Sequence, residues 1–87
     1  TMLPAGRHVA QVYEEALFAS AAPGTLLIDC STIDVTTALQ VAKAASAKGL
    51  AAVDAPVSGG IAAAAAGTLT FMVGGSADAF ARAEPIL

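Results

Sequence analysis

The sequence predicts an α/β protein, a partial doubly wound sheet that is mostly parallel and carries helices on its faces. Two short apolar runs at residues 25–29 and 50–54, each ending in an aspartate, suit parallel strands covered on both faces. Between them residues 35–48 repeat apolar side chains at helical spacing, so strand, helix and strand alternate at βαβ lengths. A chain of 87 residues that is 56% hydrophobic and 13% charged has material for one small core and no mark of disorder.

Taken in order, residues 1–4 read as the end of a strand, because Met2 and Leu3 run into Pro4, which cannot continue a ladder. From about residue 7 to residue 19, Val9, Val12, Ala16 and Ala19 recur at helical spacing with Glu14 and Glu15 outside. Pro23 and Gly24 end that segment, and the strand at 26–29 follows. The helix at 35–48 places Val35, Ala38, Leu39, Ala42 and Ala45 on one face, with Lys43 and Lys48 toward its end and Gly49 as its stop. A second strand covers 51–54, and a loop at 56–60 leads into an alanine run. Residues 69–73 read as a further strand closed by Gly74 and Gly75. Ser76 is placed to cap a last helix with Asp78 in its first turn and Phe80 facing inward, and Pro85 ends it.

Charge and cysteine content exclude several functions. Arg7, Lys43, Lys48 and Arg82 are scattered in a chain of net charge −3, so there is no basic stripe for a nucleic-acid backbone. The single Cys30 cannot close an internal disulfide, and no cluster of His and Cys has the spacing of metal ligands, which suits an intracellular chain with no metal. Residues 55–77 carry no charge, but Pro56 and five glycines interrupt them, so no membrane span is expected. The chain opens on Thr1, as an internal segment of a longer protein would, and shows no targeting signal.

In an open α/β sheet, ligands bind beyond the carboxyl ends of the strands, which directs attention to the loops after Leu3, Asp29 and Asp54. Met2, Leu3 and Pro4 leave a strand and open a helix, where backbone can lie against a flat cofactor or simply connect two elements. Ser31 and Thr32 stand at a helix entry, where hydroxyls cap free N–H groups and Asp34 assists the dipole; Thr32 could equally face a ribose or nicotinamide. Cys30 reads as a small buried hydrophobe, and His8 either reaches a ligand or lies in solvent. Ser58, Gly59 and Gly60 combine a hydroxyl with two glycines ahead of a helical turn, which makes either an anion cradle or a plain turn. Ser58 lacks the G-x-S-x-G elbow of a hydrolase, because Pro56 occupies the first glycine position.

Four ordered motifs resemble the β-hydroxyacid dehydrogenase family across nearly the whole chain. They are Thr1-Met2-Leu3-Pro4, the run from Leu27 through Cys30-Ser31-Thr32 to Asp34, Asp54-Ala55-Pro56-Val57-Ser58-Gly59-Gly60, and the run from Gly67 to Gly75. The chain departs from the family pattern at His8, where asparagine is frequent, at Val35, where proline is common, and in the five alanines after Ile61. The resemblance implies a Rossmann-like fold, of which these residues form the later half of the dinucleotide-binding domain. It implies that Met2, Leu3, Pro4 and Thr32 line NAD or NADP, and that Ser58, Gly59 and Gly60 hold a substrate carboxylate. The G-x-G-x-x-G pyrophosphate loop is expected before Thr1, and the general-base lysine and a helical domain beyond Leu87.

The implied reaction is hydride transfer between NAD(P) and a small 3-hydroxy acid, foremost 3-hydroxyisobutyrate giving methylmalonate semialdehyde. Reduction of tartronate semialdehyde or of another short-chain acid is the alternative, and a catalytically silent metabolite-binding relative is the rival of another class. The resemblance also implies a homo-oligomeric parent in the cytoplasm, or in the mitochondrial matrix of a eukaryote.

Overall fold

A computed structural model describes residues 1–87, and its central feature is a parallel pair, β1 (Leu26–Asp29) and β2 (Ala51–Asp54). The register runs from Leu26 opposite Ala51 to Asp29 opposite Asp54, so both aspartates arrive at the same carboxyl edge. Thr1 lies along the other side of β1: its backbone N donates to Ile28 O at 2.6 Å and its O accepts from Cys30 N at 2.7 Å. The strand end expected at residues 1–4 is therefore a single residue paired with β1.

Alternation along the strands sends side chains to two cores, as a sheet covered on both faces requires. On one face Leu27 meets Val9, Tyr13, Ala45 and Leu50, with Ala52 and Val41 packed around them. On the other, Val53 meets Ala79 and Ala83, joined by Leu26, Ile28 and Ala51. The first layer comes from α1 (Gly6–Val12) and α3 (Val35–Ala47), and the second from α5 (Ala77–Ala83). The doubly wound α/β arrangement read from the sequence is borne out.

The first helical segment departs from its expected register. After α1 the chain forms a π-helical turn at Tyr13–Leu17 and then a short α2 (Phe18–Ser20). Val9 and Tyr13 are buried and Leu17 and Phe18 are half-buried against the same core, whereas Ala16 and Ala19 are exposed. A π turn adds residues to each turn, so the inward positions recur at four and five rather than three and four. Large side chains at Tyr13, Leu17 and Phe18 fill that face, and the Tyr13 and Phe18 rings meet edge to face at 5.8 Å.

Within α3 the inward stripe is also rotated. Val41 and Ala45 face the core, while Val35 and Leu39 are 73% and 66% exposed, contrary to the face expected from spacing. Their stripe borders a groove with Asp54, Gly74 and Gly75 instead. The start of α1 sits directly on the start of α3, and Gly6 permits it: a side chain there would come within 2.6 Å of Asp34 Oδ1 and 3.0 Å of Thr37 Oγ1. Gly49 ends α3 as expected, with Leu50 N donating to Ala45 O at 3.0 Å across the left-handed residue.

After β2 the sheet changes character. β3 (Val57–Ser58) and β4 (Thr70–Phe71) form an antiparallel pair that encloses α4 (Gly60–Ala66), the alanine run. The strand expected over 69–73 is thus only two residues long, and Gly74 instead exchanges two backbone bonds with Asp54, at 2.9 and 2.7 Å. Ser76 caps α5 through a bond from Ala79 N at 3.1 Å, as its position predicts. Phe80 does not face inward but is 43% exposed, because the small Ala79 and Ala83 take the face against β2.

Candidate functional site

The three loops singled out in the sequence all leave the carboxyl edge of the parallel strands, and a buried polar network joins two of them. Asp29 Oδ1 accepts from Thr1 Oγ1 at 2.8 Å, from Ser31 Oγ at 2.6 Å and from Ser31 N at 3.1 Å. Ser31 Oγ in turn accepts from Leu3 N at 2.7 Å. The first loop is thereby bound to the second at the residue beside Thr32. Ser31 is not the helix cap considered from its position: Asp34 caps α3, its Oδ2 accepting from Thr37 N at 2.9 Å and from Thr37 Oγ1 at 2.8 Å. These bonds hold the Asp34 carboxyl below its ordinary range.

Thr32 is exposed at this edge, as are Met2 and Pro4, while Leu3 is half-buried against the core. Among the hydroxyls of the three loops, those of Thr1 and Ser31 are used within the chain, and those of Thr32 and Ser58 are not. Both are free for a ligand.

The third loop builds a turn that the sequence forecast through its two glycines. Gly59 has φ 131 and precedes α4 as its N-cap, and a side chain there would meet Ala63 Cβ at 2.5 Å. Gly60 also has positive φ, 67, but faces open space, so its backbone is accessible from outside. A groove of about 280 Å³ lies between Met2 on the first loop and Val57, Gly60, Ile61, Ala64 and Leu69 on the third. Met2 and Gly60, expected on opposite partners of one reaction, thus border one space. The lining is apolar and contains no carboxylate.

Asp54 ends β2 and opens the third loop, and the sequence assigns its carboxyl no role of its own. Its Oδ1 is buried without a hydrogen-bond partner, and burial, then the neighbouring Asp29, push its carboxyl above the ordinary range. His8 is half-buried with Nδ1 enclosed and unpartnered, so it does not lie free in solvent. Tyr13 spans the core beneath the loops; burial raises its phenol, against the opposing effect of its hydrogen bond with Thr1 at 3.3 Å. Cys30 is a free thiol of intermediate exposure, and no group of His, Cys, Asp and Glu could hold a metal ion. No helix is long and apolar enough to cross a membrane.

An extended dinucleotide fits this edge as far as the residues reach. The exposed residues Met2 and Pro4 and the free Thr32 hydroxyl lie where ligands of open α/β sheets bind, and the sequence contains no G-x-G-x-x-G loop for a pyrophosphate.

Comparison with known proteins agrees with this architecture. A 3-hydroxyisobutyrate dehydrogenase of Pseudomonas aeruginosa is 58% identical over 100% of this chain, which covers 30% of that protein. An NAD-dependent L-serine dehydrogenase of the same organism is 56% identical over 99% of the chain and 30% of its own length. The structure of a Mycobacterium tuberculosis 3-hydroxyisobutyrate dehydrogenase with L-serine superposes with a TM-score of 0.96 at 50% identity, over 100% of this chain and 30% of that one. The chain therefore spans about 30% of the length of these relatives. The family match, to the NAD binding domain of 6-phosphogluconate dehydrogenase, takes in residues 1–87, and the chain belongs to that family of NAD-binding domains.

Proposed function

We propose that these residues are the later half of the dinucleotide-binding domain of an enzyme that transfers hydride between NAD(P) and a small 3-hydroxy acid, with 3-hydroxyisobutyrate as substrate and methylmalonate semialdehyde as product. The observation that carries the reading is the groove that Met2 and Gly60 share at the carboxyl edge of the sheet. A nicotinamide ring, when bound, accepts or returns the hydride, and the protein's part is to position it. Met2, Leu3, Pro4 and Thr32 support the dinucleotide. The Ser58 hydroxyl and the backbone at Gly59 and Gly60 hold the carboxylate, which fixes the reacting carbon against the ring. The general base is a lysine supplied from outside these residues; Lys43 lies exposed on α3, and the Lys48 ammonium sits over the Phe18 ring at 5.8 Å, remote from this edge.

L-serine is the second reading, favoured by the similarity to the L-serine dehydrogenase. It is also a 3-hydroxy acid, with an ammonium where 3-hydroxyisobutyrate has a methyl group. The apolar groove favours the methyl, since none of its lining residues offers a counter-ion. Tartronate semialdehyde, with its extra polar group, fits the same lining less well.

Steady-state kinetics of the full-length enzyme test the assignment. Ser58→Ala removes one donor to the carboxylate and leaves the glycine backbone intact. A hydrogen bond to a charged group contributes about 1.5 to 3 kcal/mol, so kcat/KM for 3-hydroxyisobutyrate falls roughly ten- to a hundredfold while NAD affinity is unchanged. A loss smaller than twofold in a stably folded variant refutes the carboxylate role. A higher kcat/KM for L-serine than for 3-hydroxyisobutyrate would select the second reading.

A further inference from the structure

We propose that Ser31 is a positioning residue for the cofactor side of the site, its buried hydroxyl fixing the Leu3-Pro4 turn relative to Thr32. The proposal rests on the reading above, in which that turn and Thr32 face the dinucleotide.

Ser31 is 0% exposed, so its hydroxyl has no solvent-accessible surface and its two bonds define its orientation. The single proton goes to Asp29 Oδ1 at 2.6 Å, which turns a lone pair toward Leu3 N at 2.7 Å. Asp29 Oδ1 is itself held by Thr1 Oγ1 and by Ser31 N, so the acceptor cannot swing away without breaking further bonds. At the receiving end, Pro4 has a fixed φ and no N–H of its own. Anchoring Leu3 N therefore anchors the turn through the stiff residue that follows. Thr32 is the next residue after Ser31, and one hydroxyl thus sets the distance between two loops that arise from different strands.

Thr1 supplies the control. Its hydroxyl donates to the same Asp29 oxygen and meets the Tyr13 hydroxyl but makes no bond to the Leu3-Pro4 turn, so a purely structural network would respond alike to Thr1→Val and Ser31→Ala.

Both variants are made in the full-length enzyme, and NAD Kd, KM for the acid at saturating NAD, and Tm are measured. Ser31→Ala raises the NAD Kd roughly three- to tenfold, the range of one net hydrogen bond, and changes the KM for the acid less than twofold. Thr1→Val lowers Tm and leaves the NAD Kd within twofold. Ser31→Cys, which fills the same space with a weak donor, moves Kd in the same direction and is decisive if the alanine variant does not fold. Equal effects of Thr1→Val and Ser31→Ala on NAD Kd overturn the positioning role. A normal Kd in Ser31→Ala beside a raised one in Thr32→Ala also overturns it, leaving the cofactor reading intact. If neither Ser31→Ala nor Thr32→Ala alters Kd, the cofactor reading itself falls, and the proposal with it.

Discussion

Asp29 and Asp54 occupy matching positions on adjacent parallel strands, yet their carboxyls live in different surroundings. Asp29 Oδ1 receives three donors, whereas Asp54 Oδ1 is buried with none and faces the charge of its neighbour. Folding therefore costs the charged form of Asp54 more than the protonated one. A carboxyl whose folded pKa is raised contributes stability that is complete below the ordinary carboxylate range and is lost as pH rises through the raised value. Asp54→Asn, which carries no charge at any pH, should raise Tm at neutral pH and match the parent at strongly acidic pH. Thermal melts at the two pH values check this, and a pH-independent difference would refute it. Neither aspartate's environment could be read from its strand-end position alone: Ser31, two residues on, gives Asp29 two of its donors, but the third comes from Thr1, 28 positions away, and the burial of Asp54 comes from packing.

Helix α3 shows how local rules and tertiary packing divide the specification of an element. Its limits are set locally, by the Asp34 cap and the left-handed Gly49, and both residues stand at these limits in the sequence. Its rotation is not set locally, since Val35 and Leu39 satisfy the periodicity as well as Val41 does. The stripe that turns inward is the one that meets Val9, Tyr13 and Leu27, and Gly6 lets α1 lie close on the start of α3. The cap has a pH signature of the opposite sign to that of Asp54. Because the folded pKa of Asp34 is lowered, its contribution is present above the ordinary carboxylate range and disappears as pH falls through the lowered value. Asp34→Ala should lower Tm at neutral pH, with the deficit vanishing in acid. Asp34→Asn, which keeps the acceptor for Thr37 N, should retain most of the stability. Equal melting of Asp34→Ala and the parent at neutral pH would remove the cap from the account.

At the scale of the whole molecule, two cores on either face of a small parallel sheet hold three loops at one edge. That edge carries the proposed carboxylate cradle and the proposed cofactor turn, but the sequence has neither a pyrophosphate loop nor a lysine at the edge. Purified alone, the 87-residue chain should show no oxidation of 3-hydroxyisobutyrate with NAD, read as the absorbance of reduced nicotinamide. Turnover by the isolated chain would mean that the chemistry lies within it. The exposed stripe of Val35 and Leu39 and the apolar groove at Ile61 are surfaces the chain itself leaves uncovered.

Much of this protein followed from the sequence by itself. The βαβ alternation, the limits of α3, the Ser76 cap and the glycine turn after Ser58 rest on rules acting within a few residues, and the structure contains each of them. Only the tertiary structure decided which faces are buried, where the π turn shifts the first helix, and that Ser31 ties Leu3 to Asp29 rather than capping a helix. Those outcomes depend on side chains that meet across the sheet. A periodic pattern restricts a helix to a few possible rotations, and a hydroxyl has several possible partners, but the choice among them is made by the volumes and donors that folding brings together from distant parts of the chain.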